Sequence, residues 1–147
     1  MLSSQPAFAW PIRVYYEDTD VSGVVYHANY LKFFERARTE WLRALGYSQE
    51  SLRHDVQVAF TVSRVEIAFR SPARLDDELL ATVVVSELKR ASLVMRQQLR
   101  RAAADGPVLS EAIVQVVSVD AASFKPRALP DGFRERLQRL ENAAPEI

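Results

Sequence analysis

Acidic residues, a turn glycine and a histidine stand together just before an aromatic-rich segment of this chain. The stretch from Tyr15 to Arg38 reads YYEDTDVSGVVYHANYLKFFERAR, and it places Asp20, Gly23 and His27 ahead of a helical pattern. Backbone N–H groups in the first turn of a helix have no partner inside the helix, and the helix dipole there favours negative charge. An acid beside such a helix end can carry out chemistry on a polarised carbonyl group.

The elements that position these residues follow from the spacing of apolar side chains. Helical spacing runs from about Asn29 to Leu45, and Gly46 is a natural residue to follow the end of a helix. Strand-like segments flank this helix, and a short helix from about Gly132 to Leu140 closes the chain. The predicted strands are Phe8–Tyr16, Val56–Phe69, Leu79–Leu88, Ser92–Arg101 and Val108–Asp120.

Short connections between the later strands favour an antiparallel sheet, and a helix with a wide apolar face must be covered by that sheet. We therefore expect an α+β fold in which a curved five-stranded antiparallel sheet wraps around one long central helix. In the second strand, the alternation of apolar residues breaks after Val62 and resumes at Val65. This change of phase predicts a β-bulge near Ser63–Arg64.

Composition limits the classes of function. The 147 residues fit one domain, and 48% of them are hydrophobic, which is enough for a core. Nineteen basic residues balance nineteen acidic ones, so no global charge attracts nucleic acid. The absence of cysteine excludes disulfides and a cysteine nucleophile, and it fits a cytoplasmic protein. The opening MLSSQPAFAWPIRV lacks the pattern of a secretory signal, and no apolar run is long enough to span a membrane.

The spacing D-x-S/A/G-G-x-x-Y-H-x-x-Y is filled by Asp20, Gly23, Tyr26, His27 and Tyr30, and it resembles the signature of hotdog-fold acyl-CoA thioesterases. The chain looks like the 4-hydroxybenzoyl-CoA thioesterase family within that fold, and most like the thioesterases associated with the Tol-Pal envelope system of Gram-negative bacteria. The resemblance covers about residues 10–130. It implies a single hotdog domain over residues 1–147 that hydrolyses an acyl-CoA thioester to a free acid and coenzyme A.

The resemblance implies that Asp20 is the catalytic carboxylate. It would act as a general base toward water or as a nucleophile that forms a mixed anhydride, and the sequence leaves both routes open. The backbone N–H at His27 would polarise the thioester carbonyl. The His27 side chain is a further catalytic candidate, as is Tyr16, which would otherwise pack as a strand residue with a polar tip. The candidates for substrate binding in this segment are Gly23, Val24 and Tyr26.

Coenzyme A carries phosphate groups and needs basic contacts, but the sequence has no glycine-rich phosphate-binding loop. The resemblance assigns this role to two loops, one with Lys89, Arg90 and Ser92 and the other with Lys125 and Arg127. Coenzyme A is part of the substrate, so no separate cofactor is expected. We expect no metal site, because the sequence has no cysteine and its two histidines are far apart along the chain.

A single hotdog subunit leaves a sheet edge unpaired, and the family pairs two subunits edge to edge. The resemblance therefore implies a homodimer with shared active sites and, beyond it, a homotetramer. In such a dimer, Ser63 at the predicted bulge would line the acyl pocket. We expect a short aliphatic acyl group first and an aromatic one second.

Three other functions are compatible with the fold class. A hydrolase of acyl-acyl carrier protein would use the same chemistry with a protein partner. Basic residues at the entrance of the site would attract that acidic carrier protein. A non-hydrolytic module would bind acyl thioesters or a partner protein, although binding alone does not need Asp20. A hotdog dehydratase would need a histidine and an acid in a differently placed helix motif, which the sequence lacks.

Overall fold

A long helix, α1 (Asn29–Ala44), occupies the centre of the fold. The structure is a computed structural model that describes residues 8–102 and 105–143. The prediction that the opening segment is not a secretory signal concerns residues that lie partly outside this range, since residues 1–7 are not described. The side chains of Phe34 and Trp41 are buried on the apolar face of α1, which confirms the helix predicted from the spacing. Gly46 follows with a φ of 95°, in the left-handed region where glycine commonly ends a helix.

Five antiparallel strands form one sheet. They are β1 (Phe8–Arg13), β2 (Val58–Phe69), β3 (Glu78–Leu88), β4 (Ser92–Arg101) and β5 (Val108–Asp120). Their order across the sheet is β1-β3-β4-β5-β2, so that β3, β4 and β5 are neighbours both in the chain and in the sheet. The second strand instead pairs with the last, which places β1 and β2 at the two edges of the sheet.

Two predicted strands have different limits in the structure. The first strand was predicted too long, because β1 stops at Arg13 and Tyr16–Asp18 forms one turn of 3-10 helix. The second begins only at Val58, because a short helical segment (Gln49–Ser51, then Leu52–Val56) precedes it. A helical segment of only one or two turns is too short for the spacing of its apolar residues to repeat, so the sequence pattern does not predict it.

The predicted β-bulge is present in β2. The register with β5 shifts between Val62 and Arg64, which leaves Ser63 without a register partner in β5. Val62 and Val65, on either side of the bulge, both pair with buried valines of β5. The bulge therefore keeps the apolar residues of the whole strand on the side of the sheet that faces α1.

The core lies between α1 and the face of the sheet that α1 covers. Phe33 of α1 and Leu99 of β4 are fully buried there. One polar side chain, Gln97 of β4, is only 1% exposed among them. Its Nε2 donates to the carbonyl of Phe34 (3.0 Å), and its Oε1 accepts from Nη1 of Arg38 (3.0 Å). This arrangement confirms the α+β hotdog architecture, with a five-stranded antiparallel sheet wrapped around a central helix.

A second helix, α2 (Phe133–Ala143), confirms the short helix predicted at the end of the chain. It packs on the end of α1, where Nη1 of Arg136 donates to the carbonyls of Leu45 (3.4 Å) and Gly46 (3.3 Å). None of the helices within residues 8–102 and 105–143 combines the length and the apolar character that crossing a membrane requires.

Replacing the buried amide that joins the sheet to α1 should destabilise the fold. In Gln97→Leu, the side chain of Arg38 loses its acceptor, and we expect the free energy of unfolding to fall by about 1–3 kcal/mol. Urea denaturation followed by circular dichroism measures this change. Gln115→Leu, at a half-buried position of β5, is the matched control and should change stability by less than about 0.5 kcal/mol. Equal effects in the two variants would show that the amide contacts do not stabilise the fold.

Candidate active site

The loop between β1 and α1 is held by the side chain of Asp18, which is 5% exposed. Its carboxyl oxygens accept hydrogen bonds from the backbone N–H of Tyr15 (2.8 Å) and from Nδ2 of Asn29 (2.7 Å). The carbonyl of Asp18 accepts from the N–H of Tyr26 (2.9 Å). Asp18 thus joins the beginning of the loop to its end. Asparagine often caps the start of a helix, but the side chain of Asn29 bonds to Asp18. The N-cap residue of α1 is Ala28, whose side chain makes no capping hydrogen bond.

Asp20 lies on a tight turn that exposes its carboxylate to solvent. The N–H of Gly23 donates to the carbonyl of Asp20 (3.0 Å), and Gly23 has a φ of 80°, which glycine adopts without strain. Ser22 donates both its hydroxyl and its backbone N–H (2.9 Å) to Oδ1 of Asp20. These bonds and, to a smaller degree, the charge of His27 hold the pKa of Asp20 below its ordinary value. The carboxylate is therefore ionised at neutral pH.

The start of α1 adds free backbone donors to the same loop. The N–H of Asn29 donates to the carbonyl of Tyr26 (2.8 Å), whereas the N–H groups of His27 and Ala28 have no hydrogen-bond partner among the described residues. Such groups carry partial positive charge and favour an anion. Two backbone hydrogen bonds hold the Asp20 turn against the residues that precede α1: the N–H of Asp20 donates to the carbonyl of Val24 (2.9 Å), and the N–H of Tyr26 donates to that of Asp18 (2.9 Å). A carboxylate beside free N–H donors can promote attack on a carbonyl and stabilise the resulting oxyanion.

Aromatic contacts orient this helix start against the sheet. The centroid of the His27 ring lies 4.6 Å from that of Tyr26 and 6.2 Å from that of Phe69, the last residue of β2. The Phe69 ring also meets the ring of Tyr30 edge to face at 5.2 Å. The hydroxyl of Tyr30 accepts a hydrogen bond from the backbone N–H of Ala73 (3.0 Å). The loop is therefore anchored at the end of β2 and on the segment that follows it.

All of the site residues predicted near the acid lie in the loop between β1 and α1. Val24 forms an isolated bridge with Arg74, and the N–H of Val25 donates to the carbonyl of Ala73 (2.8 Å), which fixes the loop on the segment before β3. Tyr16 belongs to the same loop but stands apart from this group, because the residue is 83% exposed and its side chain bonds to no other side chain in the described part of the chain. The residues that the structure brings together are Asp20, Gly23, Val24, Tyr26 and His27.

The basic residues expected near coenzyme A also form one surface. The N–H of Leu129 donates to the carbonyl of Arg90 (2.9 Å), so the β3–β4 hairpin and the segment after β5 are adjacent. Arg90 and Lys125 have no ion-pair partner among the described residues, whereas Lys89 and Arg127 pair with acidic neighbours at 3.4 and 3.5 Å. We call this the basic surface; its members are Lys89, Arg90, Ser92, Lys125 and Arg127.

Within one chain, the basic surface lies far from Asp20. The loop of Asp20 packs on Phe69 at one end of β2. The carbonyl of Lys125 accepts from the N–H of Asp120 (2.8 Å), and Asp120 pairs with Val58 at the other end of β2. The two ends of the 12-residue strand β2 are eleven residue-to-residue steps apart, which corresponds to about 36 Å along an extended strand. The structure therefore does not bring the predicted acid and the predicted coenzyme A contacts together in a single chain, and Ser63 lies between them.

The acidic and histidine side chains of this region do not form a metal site. Within residues 8–102 and 105–143, no three or more His, Cys, Asp or Glu side chains are grouped so that they could hold a metal ion.

Comparison with known proteins identifies the family. The sequence model of the thioesterase superfamily matches residues 22–106, and the chain belongs to this superfamily. It is 46% identical over 134 residues to the acyl-CoA thioesterase YbgC of Haemophilus influenzae, which covers 91% of this chain and 96% of the relative. It is 49% identical over 123 residues to the acyl-CoA thioester hydrolase YbgC of Escherichia coli O6:H1, covering 84% and 90%.

A solved structure agrees with this assignment. The crystal structure of a probable thioesterase from Bartonella henselae is 36% identical to this chain and superposes with a TM-score of 0.78. The match covers 88% of this chain and all of the other. The resemblance to hotdog thioesterases that the sequence motif indicated is therefore confirmed.

Two residues that shape the site were not predicted from the sequence. Phe69 lies more than forty positions after Asp20, and nothing in its own neighbourhood marks it except that it ends an apolar strand. Ser22 stands at the S/A/G position of the motif, where only a small side chain is specified. Its hydroxyl bond to Asp20 depends on the turn geometry, which the residue types alone do not define.

Removing the Ser22 hydroxyl should raise the pKa of Asp20. In Ser22→Ala, the hydroxyl bond to the carboxylate is lost while the backbone bond remains, so the pKa should move part of the way back to the ordinary aspartate value. Carbon-13 NMR of the carboxyl resonance during a pH titration measures this shift. Ser71→Ala, outside the loop, is the control. An unchanged Asp20 pKa in Ser22→Ala would mean that the hydroxyl does not stabilise the ionised form.

Proposed function

We propose that this chain hydrolyses acyl-CoA thioesters at the loop between β1 and α1, with Asp20 as the reacting carboxylate. The observation that supports this most strongly is the pairing, on one loop, of an ionised carboxylate with the free N–H groups of His27 and Ala28. Membership of the thioesterase superfamily and close relatives named acyl-CoA thioesterases support the same chemistry.

In this mechanism, the thioester carbonyl oxygen accepts hydrogen bonds at the start of α1. The N–H groups of His27 and Ala28 stabilise the negative charge that develops on that oxygen during attack. In one route, Asp20 takes a proton from water as the water oxygen attacks the carbonyl carbon. In the other, Asp20 attacks to give a mixed anhydride that water then hydrolyses. In both routes the C–S bond breaks and coenzyme A leaves as a thiolate that takes up a proton.

We assign the complete site to two chains. The strand β2 is a sheet edge, and several of its residues are exposed, including Val62, Val65 and Phe69. Antiparallel pairing of two β2 edges about a two-fold axis would place the Asp20 loop of one protomer beside the basic surface of the other. This pairing removes the separation of about 36 Å along the strand that exists within one chain. A homotetramer of two such dimers completes this proposal.

The basic surface would hold the phosphate groups of coenzyme A, and Ser63 and the adjoining part of β2 would lie near the thioester. A short aliphatic acyl group is the first candidate and an aromatic group the second. The reaction needs water and no further cofactor. A cytoplasmic location stays a prediction from the composition of the sequence, and an association with the Tol-Pal system stays a prediction from the resemblance.

A second candidate function is hydrolysis of acyl-acyl carrier protein. Arg90 and Lys125 are exposed and without ion-pair partners in the described part of the chain, so they could meet an acidic carrier protein. A module that only binds acyl thioesters is less well supported, because binding does not need an ionised acid next to free N–H groups.

Replacing the carboxylate should abolish turnover. Asp20→Asn is nearly isosteric, and we expect kcat/KM for acyl-CoA hydrolysis to fall by at least about 100-fold. Release of free coenzyme A, measured on a panel of short, long and aromatic acyl-CoAs, gives the rates. Asp55→Asn, on the short segment before β2, is the control for loss of an acidic side chain. Wild-type turnover with undiminished activity in Asp20→Asn would refute the assigned role of Asp20.

A mixing experiment should reveal the shared site. One parent carries Asp20→Asn, and the other carries Arg90→Glu and Lys125→Glu, so each homodimer has two defective sites. A mixed dimer has one site with both defects and one intact site, so a random mixture should recover roughly a quarter of wild-type kcat/KM. The variants are co-expressed and assayed at substrate concentrations below KM.

The contrary result is equally clear. If Asp20 and the basic surface of one site come from the same chain, every site in the mixture has one defect. The mixture will then be no more active than the average of its two parents. Arg134→Glu, an exposed position on α2, controls for charge reversal alone and should keep the wild-type rate.

A further inference from the structure

A cavity of about 170 Å³ lies under β2, between α1, the sheet and α2. Much of its inner part is formed by apolar side chains, and the half-buried residues Arg38 and Thr39 of α1 also line it. The lining residues Glu35, Gln49 and Val62 are exposed and mark its mouth. The apolar lining includes Trp41, Phe60, Leu93, Met95, Val116 and Phe133.

The mouth of this cavity lies on the β2 edge. Val62 immediately precedes the bulge, and Phe60 belongs to the half of β2 that ends at Val58. In the antiparallel dimer, this half faces the Asp20 loop of the other protomer. An acyl tail extending from that loop would therefore enter here with its apolar end first.

The inner wall is supplied by α2. Phe133 is 2% exposed, and its ring centroid lies 6.1 Å from Trp41, 5.8 Å from Tyr47 and 6.1 Å from Phe60. The ring thus fills the space where α1, β2 and α2 meet. Phe133 also lies beyond residue 106, where the match to the superfamily ends, so this wall is not part of the matched family segment.

Other contacts attach α2 to the fold independently of this ring. Arg136 bonds to the carbonyls at the end of α1 and lies over the ring of Tyr47, with its guanidinium carbon 4.3 Å from the ring centroid. Leu137 is 3% exposed and does not line the cavity. A change at Phe133 can therefore alter the cavity while α2 keeps its remaining anchors.

We propose that Phe133 forms the end wall of the acyl-binding cavity and limits the acyl tail to about six carbons, the size of the benzene molecule that an apolar cavity of about 150 Å³ accommodates. This inference rests on the proposed acyl-CoA hydrolysis and names the substrate class as short, unbranched or lightly branched aliphatic acyl groups. Most of the lining is apolar, which favours burial of an aliphatic tail, and the guanidinium group of Arg38 in the lining already donates to Gln97 (3.0 Å).

The test compares two truncations on the same helix. Phe133→Ala opens the end of the cavity, and Leu137→Ala removes a buried side chain of α2 that does not line it. Straight-chain acyl-CoAs from butyryl to myristoyl are assayed for kcat/KM. Because each additional buried methylene contributes to binding, the ratio for decanoyl-CoA over hexanoyl-CoA should rise about tenfold or more in Phe133→Ala and stay at the wild-type value in Leu137→Ala.

A second variant, which narrows the cavity instead of widening it, provides the test if Phe133→Ala does not fold. Phe133→Trp narrows the cavity and should lower the same ratio, with hexanoyl-CoA losing activity relative to butyryl-CoA. An unchanged chain-length profile in the folded Phe133 variants, or an equal change in Leu137→Ala, overturns the end-wall role while leaving thioester hydrolysis intact. Absence of turnover by the wild type on every acyl-CoA would instead remove the proposed function and this inference with it.

Discussion

The buried carboxyl group of Asp18 is the contact on which the candidate site depends. It accepts from donors at both ends of the loop, the N–H of Tyr15 and the side-chain amide of Asn29, and leaving the buried amide of Asn29 unpaired would cost about 1–3 kcal/mol. Asp18 and Asp20 are two residues apart and have opposite environments. The first is buried and structural, and because it holds the loop, the second remains exposed, ionised and next to the start of α1.

The order of the strands imposes the second constraint. Because β2 follows α1 in the chain but lies at the sheet edge beside β5, its two ends lie next to different parts of the proposed site. One end meets the Asp20 loop through Phe69, and the other lies beside the basic surface. In the proposed dimer, a two-fold axis across this edge would reverse one strand relative to the other and bring the two parts of the site together. The bulge at Ser63 keeps the apolar face of β2 continuous, so the cavity opens on the same edge.

Long periodic elements could be predicted from the sequence, and irregular ones could not. Helical spacing located α1, and alternation located the strands and the bulge, because these patterns repeat over many residues. The turn at Tyr16–Asp18 and the helical segment before β2 are too short to repeat, and Tyr16 was wrongly placed in a strand for this reason. The motif correctly grouped Asp20 with His27. The distance from Asp20 to the basic surface depends on strand order, which local spacing does not encode.

In the proposed mechanism, free N–H groups at the start of α1 receive the thioester carbonyl next to Asp20. NMR of the nitrogen-15-labelled protein tests it most directly, during titration with an acyl-CoA analogue in which a methylene replaces the thioester sulfur. The analogue keeps the carbonyl and cannot be hydrolysed. The amide signals of His27 and Ala28 should move downfield, and more than those in the rest of α1, as the site saturates. Saturation with both signals unmoved would contradict it.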